Sequence, residues 1–357
     1  MVLQNKPDFD DAMARVEAWF DGAIVDRVPV RFTRHNAFAE QVDDADPERW
    51  GSLRERWFDV EYQIERYLRS IEAKVFLAET FPVYWPNLGP EVYAAFHGCP
   101  LEYGETTSWS THPVREWPDA EKLQFDRGNQ YFRKVEELTA AALAVCNNRF
   151  MVGYTDLHPG ADCAMAWRGA DRLCMDLYDT PQQAKALAER GAEHFFEIYD
   201  HFDGILKQHG QLSVTWMEIP SRGKLHIPSC DLAAMISEQQ FKDLALPIIE
   251  REVRHMTHNI FHIDGKGVAR HLEQLLRIPE IQAYQWVQGV GEDQPIMQWV
   301  PLIERIQTAG KSVVVDLQPD ELDPFMQAVR PEGIFLCLPS ASEEQERTLL
   351  KRIEKWT

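Results

Sequence analysis

The sequence predicts a (β/α)8 barrel, and three observations carry that prediction. Short continuous apolar runs alternate about eight times with amphipathic helical stretches, the pattern of parallel strands buried on both faces. No Gly-x-Gly-x-x-Gly follows the first run, which argues against an open doubly wound sheet, the runner-up. No linker-like stretch interrupts the 357 residues, so a single domain spanning 1–357 is expected.

Residues 8–21 place apolar groups at helical spacing after an Asp-rich start and read as a lead-in helix ahead of the barrel. Residues 28–32 are the first strand, closed by a polar turn at 33–36, and 47–72 carry the period of one long helix. Lys74-Val-Phe-Leu-Ala78 reads as the second strand, and the Pro-rich and aromatic stretch 79–89 as an irregular loop. Residues 97–128 lack a period. A helix at 130–146 leads to a third strand at 149–154, which ends in Thr155-Asp156-Leu157-His158. Helices follow at 170–178 and 181–208, then a stretch at 211–218 that reads either as a strand or as an excursion. The fourth strand is expected at 224–229, where Pro228 is awkward for a central position. The second half alternates more regularly: strands at 259–263, 282–288, 311–316 and 333–337, with helices at 237–255, 267–277, 295–309, 320–329 and 342–355.

Composition narrows the partners. Asp plus Glu outnumber Lys plus Arg by 57 to 37, a net charge of −20, and no basic run offers a phosphate-binding stripe. Nucleic acid and an anionic membrane are therefore not expected partners. No apolar stretch reaches the ~18 residues of a membrane span, and the first residues do not resemble a signal peptide, so a cytoplasmic location is expected. The six cysteines lie far apart without Cys-x-x-Cys spacing and read as reduced, mostly core residues.

In a barrel of this type the site lies at the C-terminal ends of the strands. Polar residues expected there include Arg34, Glu79, Tyr154, Asp156, Cys230, His262, Asp264, Trp286 and Cys337. His262 and Asp264, two apart on a strand, share a face and could reach one metal ion or one substrate. Cys230, His262 and Cys337 come from three strands that would converge on the same rim, so at least three of Cys230, His262, Asp264 and Cys337 could share a metal. The plain alternative is a core histidine satisfied by a backbone carbonyl. The loops with Glu79, Tyr84 and Trp85, with Tyr154, Asp156 and His158, and with Trp216 and Glu218 are expected to wall the mouth, with Trp286 beside them. Packing under long loops is the equal alternative for these aromatics.

The chain resembles the uroporphyrinogen decarboxylase superfamily, which includes cobalamin-dependent methyltransferases. The residues that carry the resemblance are Asp26-Arg-Val-Pro-Val30 with Arg34, the stretch from Ser229 to Pro247, Phe261-His-Ile-Asp-Gly265, and 333–339. The similarity covers nearly the whole length and is greatest to a branch often labelled trimethylamine corrinoid protein. It implies a zinc-dependent methyltransferase that acts on a small methylated substrate or a thiol or pterin acceptor. The family's His, Cys and Cys ligands fall on His262, Asp264 and Cys337, with Asp replacing the first Cys. Cys230 competes with Asp264 as third ligand, because it would preserve the thiolate character of the set; Asp264 would then hold substrate, act as acid or base, or orient a ligand. Phe38 stands where the decarboxylase carries the second of two arginines, against a porphyrinogen substrate. The chain has no helical plus Rossmann corrinoid-binding module, which places the corrinoid on a partner protein.

A second enzyme reading is a metal-dependent lyase or hydrolase on a small, sugar-like substrate. Tyr84, Trp85, Trp216 and Trp286 would stack on it, and Glu79, Asp156 or Glu218 would serve as acid and base. A metal-free decarboxylase-like enzyme and a non-enzymatic binding protein complete the alternatives, and a homodimer is left open.

Overall fold

The computed structural model describes residues 3–34, 49–72 and 74–357, with Arg34 described by its backbone alone. The rest of the expected turn at 33–36, Phe38 and the start of the helix expected from 47 lie outside the described residues. The strands are β1 (Val30–Arg34), β2 (Val83–Tyr84), β3 (Leu101–Tyr103), β4 (Ser108–Ser110), β5 (Met151–Val152), β6 (Leu225–His226), β7 (His258–Asp264), β8 (Ala283–Val287), β9 (Ser312–Asp316) and β10 (Ile334–Ser340).

Six strands form one curled parallel sheet in the order β1-β10-β9-β8-β7-β6, so the last strand lies beside the first. β2 and β5 pair in parallel with each other. They join the edges of the large sheet through isolated hydrogen bonds: Glu79 N to Val30 O (2.9 Å) just ahead of β2, and Tyr154 N to Val214 O (2.9 Å) just after β5. Ser213, just before Val214, carries the link on to β6: its hydroxyl oxygen accepts from Leu225 N (3.0 Å). β3 and β4 are a short antiparallel hairpin inside the stretch expected to be irregular.

The faces alternate as a period of two requires. Ile260, Ala283, Val314, Phe335 and Cys337 face the concave side, while Phe261, Tyr284, Trp286, Val313, Val315 and Leu336 pack outward on the helices. The lead-in helix α1 (Phe9–Phe20) closes the end of the sheet where the strands begin. Its Trp19 stacks edge-on against Phe335 at 5.3 Å, and its indole N–H donates to Gly333 O (2.9 Å), just before β10. With the N-terminal ends covered, the polar residues at the opposite ends of the strands are left for chemistry.

Several expected elements need correction. Residues 74–78 are not a strand: the buried Lys6 ammonium binds the carbonyls of Phe76 (3.3 Å) and Ala78, and Ala78 takes φ 53°, which ends any extended run. The strand lies instead in the Pro-flanked pair Val83–Tyr84. The helix expected at 47–72 is two helices, Leu53–Phe58 and Val60–Ile71, broken at Asp59, whose carboxylate caps the second by accepting Tyr62 N (3.0 Å). The helices expected at 181–208, 237–255 and 267–277 are likewise split, the second of them where Pro247 opens a new helix at Leu246 after the capping box of Ser237 and Gln240.

Candidate metal centre

Ile260 faces the concave side, so His262 and Asp264, two and four residues on, follow it to the C-terminal rim. β6 is followed by a short 3-10 helix, Asp231–Met235, which brings the Asp231 carboxylate to the same place. One ligand atom from each of Asp231, His262 and Asp264 lies within 4.8 Å of the others. His262 Nδ1–H donates to Gln285 Oε1 (2.6 Å), and Trp216 meets the imidazole edge-on, 5.5 Å away at 90°. Asp231 is reachable from solvent but sits in a recess. Loss of water there, then Asp162, Asp264 and Asp156, push its pKa up to about 7 against the pull of His158. A carboxylate raised in this way by its neighbours is short of a positive charge, and a divalent cation supplies it. One imidazole nitrogen and two carboxylates, with a position left for water or substrate, form a donor set that zinc accepts.

A second constellation adjoins the first. His158 Nε2–H donates to Asp156 Oδ1 (2.8 Å), and its Nδ1–H donates to Ser229 Oγ (2.6 Å), whose hydroxyl donates to Asp162 Oδ2 (2.8 Å). Both ring nitrogens are therefore donors, which describes an imidazolium. Burial pulls its pKa down, but Asp156, then Asp162 and Asp231, push it up to about 10. Behind it lie His226 and Glu252, 3.6 Å apart and buried. Burial lowers His226 to about 3 and raises Glu252 to about 8, so at neutral pH the two are uncharged neighbours rather than an ion pair. A cavity of about 220 Å³, lined by Glu91, Trp109, His158, Asp162 and Asp231, opens beside this cluster.

The raised pKa of His158 makes the stability of the fold depend on pH. Because its folded pKa lies above the ordinary 6.5, its pairing stabilises the fold fully below about 6.5 and is lost as pH rises through about 10. The melting temperature of the wild type should fall more steeply between neutral pH and about 10 than that of His158→Gln. Parallel slopes would show that the imidazolium contributes nothing.

The structure sorts the expected site residues. His262 and Asp264 come together, and Asp231 completes the group in place of either cysteine. Cys230 is buried in the outer layer, where burial holds its thiol well above the usual range, because the residue after it takes the rim position. Cys337 is on the concave side but pairs in register with Arg31 and Asp316, and its sulfur lies against the Arg31 guanidinium; burial pushes its pKa up to about 12. Asp156 belongs to the His158 cluster. Glu218, in a left-handed backbone turn (φ 58°), lies 3.8 Å from Arg31.

Glu79 is at the wrong end. It precedes β2, is fully buried, and binds Arg27 (2.8 Å) and Arg15 (3.2 Å) where β1 begins. Tyr84 points outward against Tyr67 (5.2 Å), and Trp286 is outward too, packed on Trp299 (4.8 Å). Tyr154 is buried, with its hydroxyl donating to Leu225 O (2.9 Å). Trp85 follows Tyr84 and by alternation faces the concave side, half-buried, its indole N–H without a partner among the described residues. The Arg34 side chain lies outside what is described.

The sequence places His158 in the loop at the mouth but gives it no chemical role, and it gives none to Asp231, Ser229 and Asp162. The usable signal was Asp156-Leu-His158, which repeats at one strand end the two-residue spacing of His262 and Asp264 at another.

No family model matches the chain, and no curated protein does. Among solved structures, a methyltransferase from Methanosarcina mazei aligns with 96% of this chain and 98% of its own, with a TM-score of 0.63 and 13% identity. The two chains share a fold. At that identity the likeness assigns no residue a role. Among the described residues, no helix is long and apolar enough to cross a membrane.

Proposed function

We propose that the protein is a methyltransferase that holds zinc between His262, Asp264 and Asp231, with a partner protein delivering a corrinoid-borne methyl group to a small thiol or similar acceptor. The observation that carries this reading is the convergence of those three ligand atoms at the C-terminal rim of a fold shared, over nearly full length, with a methyltransferase. The chain is read as one (β/α)8 domain in which β2 and β5 complete the circle begun by the six-stranded sheet. Bound zinc would lower the pKa of a coordinated thiol or water, making an attacking anion available at neutral pH. Trp216 shields one flank of His262 from water, and the acidic recess of Asp156, Asp162 and Asp231 draws the cation in.

The test is elemental analysis of protein purified without an affinity tag, followed by loss of methyl groups from methylcobalamin in the presence of a simple thiol. About one zinc per chain and thiol-dependent demethylation that a chelator abolishes are expected. Folded protein without metal, and no acceleration over thiol alone, would overturn the reading. One observation favours a second: the imidazolium of His158, paired with Asp156 and lining the cavity next to Asp231, suits a metal-dependent lyase or hydrolase. Bound zinc without demethylation would turn the assignment that way.

A further inference from the structure

A metal-binding imidazole can coordinate through either ring nitrogen, and which one it uses depends on where the other keeps its proton. Here the surroundings make the choice. Gln285 faces His262 in register across β7 and β8, is buried, and offers its amide oxygen 2.6 Å from Nδ1. An amide oxygen only accepts, so the proton sits on Nδ1 and the lone pair is on Nε2. Trp216, edge-on to the ring, holds its plane from another side. Gln285 itself is well supported: β8 is hydrogen-bonded between β7 and β9, and the flanking Tyr284 and Trp286 are anchored in the outer layer.

We propose that Gln285 is a positioning residue of the centre: it fixes the tautomer and rotation of His262 so that Nε2 is the atom turned toward Asp264 and Asp231. The inference rests on the metal reading for its consequence, but not for its geometry. Without an acceptor at Nδ1, the imidazole reverts to the Nε2–H tautomer that an unconstrained ring favours, and its lone pair turns away from the carboxylates. Losing an outer hydrogen bond of this kind weakens metal affinity by about 10- to 100-fold. A carboxylate in the same place accepts more strongly than an amide and preserves the arrangement.

Two variants and two readouts test this. Imidazole 15N spectra of the metal-free protein at mildly alkaline pH, with the His262 signal assigned by its loss in His262→Ala, report the tautomer. Competition with a chromogenic chelator reports zinc affinity. The wild type should show Nδ1–H. Gln285→Leu should shift toward Nε2–H and bind zinc about 10- to 100-fold more weakly; Gln285→Glu should keep Nδ1–H and bind zinc at least as tightly as wild type. Circular dichroism identifies a variant that fails to fold, in which case Gln285→Glu and the wild-type spectrum decide. An Nε2–H tautomer in the wild type, or Gln285→Leu unchanged in both readouts, would overturn the proposal. A wild type that binds no zinc, yet whose Nδ1–H tautomer is lost in Gln285→Leu, would overturn the metal reading and uphold the hold of Gln285 on His262.

Discussion

Replacing His262 by alanine is expected to take bound zinc from about one equivalent per chain to near zero without unfolding the protein. His262 supplies the one nitrogen among the three grouped donors; without it two carboxylates remain, a set closer to magnesium or calcium chemistry than to zinc. Asp231→Asn should act in the same direction, since it removes a ligand charge. Cys337→Ser should leave zinc in place, because that thiol is engaged with Arg31 on the neighbouring strands and stays protonated. Elemental analysis with circular dichroism on the same samples checks all three. Full zinc in His262→Ala would remove the centre, and loss of zinc in Cys337→Ser would restore a thiolate to it.

Glu79→Ala should be among the most destabilising single changes in the chain, by about 3–5 kcal/mol. The carboxylate is fully buried and saturated: Oε2 accepts from Arg27 Nη1 (2.8 Å) and from Val30 N (2.7 Å), and Oε1 from Arg27 Nη2 (3.1 Å) and Arg15 Nη1 (3.2 Å). Truncation leaves Arg27, itself buried, without its counter-charge and removes a link that ties the start of β1 to the approach to β2. A surface pair such as Arg254 and Glu250 offers the contrast, worth at most a few tenths of a kcal/mol. Denaturant midpoints of the two sets of variants give the comparison. A cost below about 1 kcal/mol for Glu79→Ala would mean that water replaces the carboxylate and the site is less dry than it looks.

The strands from β7 to β10 were legible because they are buried on both faces and read as unbroken apolar runs. The second strand was not. Residues 74–78 have the right composition, but the tether from Lys6 that bends them comes from far away in sequence. The same displacement moves Glu79 from the mouth to the opposite end, because it precedes a strand instead of ending one. At the centre, His262 and Asp264 were legible because a two-residue spacing on a strand fixes their face. The third donor turned on whether Cys230 or its neighbour Asp231 reaches the rim, a choice made by the chain's conformation after a two-residue strand and invisible in sequence. Trp286 and Tyr84 fell on the outer face for the same reason that His262 fell on the inner one: alternation, once the register is known, leaves no choice.

The bond from Trp19 to Gly333 spans 314 positions, and that from Ser312 Oγ to Trp19 O spans 293. During synthesis α1 emerges among the first elements, yet its indole has no partner until the last strands are made. The Trp19 end of the lead-in helix is therefore a late arrival in folding despite its early birth: Phe9 can pack on Phe81 soon after both are made, whereas Trp19 waits, exposed to water or to a chaperone, until β9 and β10 are built. The loop-closure entropy of that long wait is lost in one step, when first helix and last strand meet. A nascent chain stalled before residue 312 would keep Trp19 accessible to collisional quenchers, and release of the completed chain would bury it.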